Sequence, residues 1–80
     1  MVFVDKVFFW PGKGSWCHMW ADTAEELHEF AAKLGLKRDW FQDHRMLKHY
    51  DILPERRECA IKMGAKVESL RNYLKNVKTM

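Results

Sequence analysis

The five residues Trp16-Cys17-His18-Met19-Trp20 constrain the fold more than any other stretch of the chain. They follow a clear turn, Pro11-Gly12-Lys13-Gly14-Ser15, and precede Asp22-Thr23, a pair suited to cap a helix. So short a segment between two such boundaries reads as a strand. On its period of two, Trp16, His18 and Trp20 share one face, and Cys17 and Met19 share the other. Neighbouring strand residues point apart, so Cys17 and His18 do not bind one ion together. The indole face has two readings. It is a second buried layer in which a carbonyl or carboxylate satisfies His18, or it is a stacking platform for a nucleobase.

The chain turns helical directly afterwards. Asp22 or Thr23 supplies the N-cap, with Glu25 or Glu26 three residues on to complete a capping box. Leu27, Phe30, Ala31 and Leu34 repeat at helical spacing, and Gly35 supplies the stop. Glu25, Glu26 and Glu29 are then solvated, and His28 sits at the rim of the apolar stripe.

The remaining elements follow from similar signals. Val2-Phe3-Val4 reads as a buried strand ending at Asp5, and Val7-Phe8-Phe9-Trp10 continues it or forms an apolar loop. Residues 36–50 lack helical periodicity, with Trp40 and Phe41 anchoring a loop or short strand and Asp43, His44 and Arg45 in an exposed excursion. Tyr50 to Leu53 reads as a strand. Pro54 opens a second helix at its favoured first position, with Cys59, Ala60 and Met63 facing inward and Gly64 ending it. A short strand is expected at Ala65-Lys66-Val67. Ser69 then caps a third helix with an apolar stripe of Leu70, Tyr73, Leu74 and Val77 and a basic stripe of Arg71, Lys75 and Lys78. The expected fold is one α/β domain over residues 1–80. It has a short mixed sheet of three or four strands packed with three helices, in the order β-β-α-(β)-α-β-α, and a βαβ unit from Tyr50 to Val67.

At 80 residues such a domain buries only about 60% of its unfolded surface, so each large apolar side chain matters. Hydrophobic residues make up 48% and charged residues 31%, a balance that forms a core rather than a disordered chain. No apolar run reaches the roughly 20 residues needed to cross a membrane, and MVFVDKVFFW does not read as a signal peptide. Cys17 and Cys59 match no metal spacing and read as free thiols of a cytoplasmic protein. The net charge of +3 is uneven: residues 1–35 hold three lysines against five acids, and the basic excess lies beyond them. That excess suits an anionic partner.

Arg56 is the oddity of the second helix. It falls between Ala60 and Met63 on the helical wheel, in a first turn whose dipole disfavours a cation. It either pairs with Asp51 or Asp22, or joins Arg57 and the free helix N–H groups to hold an anion. His49-Tyr50-Asp51 precedes this helix and sets an imidazole and a carboxylate two residues apart, suited to acid–base work or a divalent ion. Gly12-Lys13-Gly14-Ser15 lacks the spacing of a phosphate-binding loop and reads as a hairpin turn.

In order along the chain come Asp5, Trp10-Pro11, Trp16, His18, Asp22-Thr23, Glu26-Leu27-His28, Phe30-Ala31, Leu34-Gly35-Leu36, Arg38, His49-Tyr50-Asp51, Ala60 and Gly64-Ala65. This series resembles a small bacterial and phage family, domain-of-unknown-function family 4031, over nearly the whole chain. The resemblance assigns no activity, but it draws attention to Asp5, His18, Asp22, His28, His49 and Asp51. Lys48 stands where members often carry an acid, and the segment from Asp39 to Lys48 is longer than usual; the lysine favours an anionic ligand.

Three functions are therefore open. The first is a module binding a phosphate-bearing ligand, a nucleotide or nucleic acid, without a cofactor. Lys48, His49, Arg56 and Arg57 would hold phosphate near Tyr50, with Trp16 or Trp20 stacking on a base. The second is a metal-dependent, nuclease-like hydrolase with His18, Asp22, His49 and Asp51 around a divalent ion. The third is a protein-interaction module that uses its aromatics.

Overall fold

The computed structural model describes residues 1–45 and 47–78, the last three by backbone only. The elements are β1 (Val2–Val4), β2 (Phe8–Trp10), β3 (Gly14–Ala21), α1 (Ala24–Lys33), a 3-10 turn (Arg38–Trp40), β4 (Phe41–Asp43), β5 (Lys48–Ile52), α2 (Pro54–Lys62), β6 (Lys66–Val67) and α3 (Leu70–Lys78). The class is the expected one, a mixed sheet with three helices, but the sheet has six strands rather than three or four. Both extra strands come from segments that the sequence leaves ambiguous. Phe8–Trp10 turns back at Pro11 and pairs with Gly14–Trp16, and Phe41–Asp43 pairs with Lys48–Tyr50.

The strand order is β4-β5-β3-β1-β6, with β2 also on β3. β3 runs antiparallel to β1, β2 and β5, and β1 is parallel to β6. β5, α2 and β6 therefore form the expected βαβ unit, whose crossover passes over β3 and β1.

Register decides which residues share a face. Cys17 lies opposite Ile52, and Met19 lies opposite Tyr50 on one side and Val4 on the other. These side chains form the core with Val2, Leu27, Ala31, Leu34 and Ala60, under α1 and α2. The opposite face carries Phe3, Asp5, Trp16, His18, Trp20, His49 and Asp51 by the same alternation. At one end of that face Phe3 and Trp20 are stacked with ring centroids 5.8 Å apart, and Tyr73 of α3 packs on both. α1 and α2 pack on the core face, and the other end of the opposite face carries Asp5, His18, His49 and Asp51.

Local signals place the helices. Thr23 caps α1 through its hydroxyl, which accepts from the Glu26 N–H at 3.2 Å. The Ser69 hydroxyl accepts from the Asn72 N–H in the same way. Gly35, at φ +78°, ends α1 in the left-handed region. One helix is rotated from expectation. In α2 Ala60 is buried, Arg57 and Ile61 are half-buried, and Cys59 and Met63 face solvent. The inner stripe runs 57, 60, 61, because Arg57 finds a backbone carbonyl to satisfy it and Cys59 has no such need. In α3, Tyr73 and Leu74 are half-buried and Arg71 and Lys75 exposed; the side chains of Val77 and Lys78 lie outside the described residues. Both cysteines are free, as expected. Among the described residues no helix is long and apolar enough to cross a membrane.

Candidate metal centre and aromatic cleft

His18 and Asp51 are paired across β3 and β5, and His49 lies two residues before Asp51 on the same face. Strand geometry alone therefore gathers the three side chains. Each offers one ligand atom, and these atoms lie within 4.8 Å of one another. Asp51 Oδ1 is 3.4 Å from His49 Nε2 and 3.9 Å from His18 Nε2. Both gaps exceed the 2.7–2.9 Å of a charge-assisted hydrogen bond. Asp51 Oδ1 is buried without a hydrogen-bond partner, a costly position for a carboxylate oxygen with nothing to bind.

The far sides of both rings are occupied. His18 Nδ1 is 2.7 Å from Asp5 Oδ2, and Asp5 Oδ1 accepts from the His18 backbone N–H at 2.7 Å. Asp5 follows β1 directly, so the end of that strand delivers its carboxylate to β3. His49 Nδ1 donates to the Leu47 carbonyl at 2.9 Å. In the neutral form, an imidazole whose Nδ1 carries the proton presents an Nε2 lone pair, and on both rings that atom lies on the side of Asp51 Oδ1. Phe8 stacks on the His18 ring with a centroid separation of 5.0 Å and restricts its rotation.

The hydrogen bond to Asp5 raises the pKa of His18 above its usual 6.5, against the opposing effect of burial. A raised folded-state pKa stabilises the fold fully below the unfolded value, and that contribution is lost as pH rises through the folded value. Denaturant titrations of metal-free protein should therefore show the His18–Asp5 contribution present below about pH 6.5 and fading above it. Any metal affinity at Nε2 would move oppositely, because protons compete for that atom. A His18→Gln variant should flatten both dependences.

The remaining candidates fall elsewhere. Asp22 accepts from the Tyr73 hydroxyl at 3.1 Å at the other end of the sheet and takes no part in the cluster. Tyr50 is 1% exposed and Trp20 0%, so neither meets a ligand. Lys48 alternates to the opposite face from His49 and lies 3.9 Å from Asp43. His28 Nδ1 is 2.9 Å from the hydroxyl of the buried Tyr50, and desolvation, and then Arg38, lower its pKa. Desolvation pushes the Cys17 thiol up to about 12, which leaves it inert on the core face. Arg57 donates through Nε to the Asp5 carbonyl at 2.8 Å and braces the strand end behind the cluster. Arg56 donates through Nη1 to the Leu34 carbonyl at the C-terminal end of α1, a favourable place for a cation, rather than to Asp51 or Asp22.

Beside the cluster lies a cleft of about 660 Å³ that shares Asp51 with it. Arg56 and Trp16 line it as ligand-contact candidates read from the sequence, joined by Trp10, Lys13 and Trp40. Sequence reasoning missed those three. The available signal was an indole adjoining a Pro-Gly turn and another amid Lys37, Arg38 and Asp39, positions where a core Trp is out of place.

A family model described as "Protein of unknown function (DUF4031)" matches residues 2–80, so the chain belongs to that family. No curated protein and no solved structure matches it.

Proposed function

We propose that this domain is a metal-dependent hydrolase in which His18, His49 and Asp51 hold one divalent ion. The observation that carries this reading is the buried, unpartnered Asp51 Oδ1 facing two imidazole nitrogens whose opposite edges are already engaged. Ligands about 2.1 Å from a tetrahedral ion stand about 3.4 Å apart, close to the 3.4 and 3.9 Å separations here. Two imidazoles and one carboxylate form a donor set suited to zinc and to neighbouring transition metals. The His18–Asp5 pair supports it as the carboxylate that orients a metal-binding histidine.

Three protein ligands would leave at least one coordination position, and Asp51 also lines the neighbouring cleft. Three ligands beside an open position distinguish catalytic from structural zinc sites. When bound, the ion would acidify water and polarise an ester oxygen. Asp22, offered as a fourth ligand by sequence reasoning, is not needed.

Metal analysis of gently purified protein should find about one transition-metal ion per chain. Chelation should lower the melting temperature and one metal should restore it, by about 2.7 kcal/mol of stability at a hundredfold excess over Kd. The loaded protein should cleave one of three chromogenic esters, a phosphodiester, a phosphomonoester or a carboxyl ester, and His49→Ala should not. Protein that carries no metal and whose melting temperature ignores zinc, cobalt, manganese, nickel and magnesium would remove this proposal.

A further inference from the structure

Exposed indoles are expensive in a domain this small. Trp10 is 49% exposed and Trp40 46%, yet with Trp16 they line one cleft from three separate elements. Trp16 is fixed in place, since its Nε1 donates to the Lys13 carbonyl at 2.7 Å. The Lys13 ammonium lies 5.5 Å from the Trp10 ring centroid, which keeps the cation at the indole that it accompanies. Arg56, also in the lining, is held by the Leu34 carbonyl. Aromatic faces interleaved with fixed cations suit a ligand that is flat at one end and anionic at the other.

Charge sharpens the choice. The lining holds Lys13 and Arg56 against Asp39 and Asp51, a neutral balance. A divalent ion at Asp51 would make it +2, with the positive charge concentrated at the Asp51 end of the cleft. The volume of about 660 Å³ lies within the range of small-molecule sites.

We infer that the cleft binds a nucleoside phosphate unit, its base stacked among Trp10, Trp16 and Trp40 and its phosphate directed to Lys13, Arg56 and the metal end. The orientation of the phosphate rests on the metal proposal above; the stacking of the base does not. The same unit is available as a free mononucleotide or as a residue of a single strand.

The test is a titration followed by tryptophan fluorescence and calorimetry, with the zinc-loaded and chelated 80-residue chain. The probes are adenosine and thymidine monophosphates, the corresponding nucleosides, ribose 5-phosphate and a short oligothymidylate. Nucleotides should bind at least about tenfold more tightly than nucleosides or the sugar phosphate, and Trp40→Ala should weaken them by about tenfold or more. Lys13→Ala should weaken nucleotides but not nucleosides. Both substitutions are at exposed positions, and Trp16→Phe, which keeps a stacking ring, should retain binding. Equal affinity per site for mononucleotide and oligomer assigns the free nucleotide. A tighter oligomer whose affinity falls with salt assigns the strand. Nucleotide binding that is unchanged by chelation supports the cleft and counts against the metal proposal. Metal binding with no response to any nucleotide or oligomer, or nucleosides binding as tightly as nucleotides, overturns the inference and leaves the metal proposal standing.

Discussion

Trp20→Ala should cost the domain a large share of its stability, whereas Trp20→Phe should cost little. Trp20 is the largest fully buried side chain, and it holds α3 to the sheet through Phe3 and Tyr73. Truncating a buried Trp costs about 3–5 kcal/mol. A chain of this size has about 4–12 kcal/mol in total. The melting temperature should fall by at least about 12 °C. Phenylalanine preserves the stack on Phe3 and removes an indole N–H that is buried without a partner, whose desolvation costs about 1–3 kcal/mol. Its expected loss is accordingly small. Circular dichroism melts and denaturant midpoints of the two variants decide the matter. A Trp20→Ala protein that melts within a few degrees of the unmodified chain would show that α3 does not rest on this indole.

That contrast marks how far the sequence could be read. The alternation through Trp16–Trp20 assigned the two faces correctly, and the cap at Thr23 and the stops at Gly35 and Gly64 lie where the turn chemistry puts them. All of these are set by neighbours in sequence or by strand period. What alternation could not supply was which end of the indole face α3 covers. Trp16 and Trp20 look equivalent in sequence, yet one lines a cleft and the other is core, because Tyr73 arrives from 53 residues away. The rotation of α2 was hidden for a related reason. Arg57 is drawn in by the Asp5 carbonyl, a contact across 52 residues that no helical wheel contains. Asp22 and His49 are comparable ligands by type, but only His49 shares strand and face with Asp51. The cleft was the least legible part, since its walls come from a hairpin turn, a 3-10 turn and a helix that the sheet order brings together.

Asp5→Asn should fold and yet weaken the proposed metal site, which separates positioning from stability. Asp5 makes two contacts to one residue: Oδ1 accepts from the His18 N–H and Oδ2 engages His18 Nδ1. Asparagine keeps the first by placing its carbonyl oxygen there. Its amide NH₂ must then face Nδ1, which can pair with it only as an acceptor. The ring proton therefore moves to Nε2 and points at Asp51, in the place where a metal would sit. Removing such an orienting carboxylate costs about 10–100-fold in metal affinity, and the reversed tautomer argues for the upper end of that range. The fold should lose only about 1 kcal/mol, since one charge-assisted bond becomes a neutral one. Asp5→Ala should fare worse on both counts, with about 3 kcal/mol lost, because the His18 N–H and ring are left without an acceptor. Competition titrations with a zinc indicator measure affinity, and denaturant midpoints of the metal-free variants measure stability. If Asp5→Asn bound metal as tightly as the unmodified chain, His18 would not be held by Asp5 in the tautomer that the geometry implies, and the assignment of Nε2 as a ligand would fall with it.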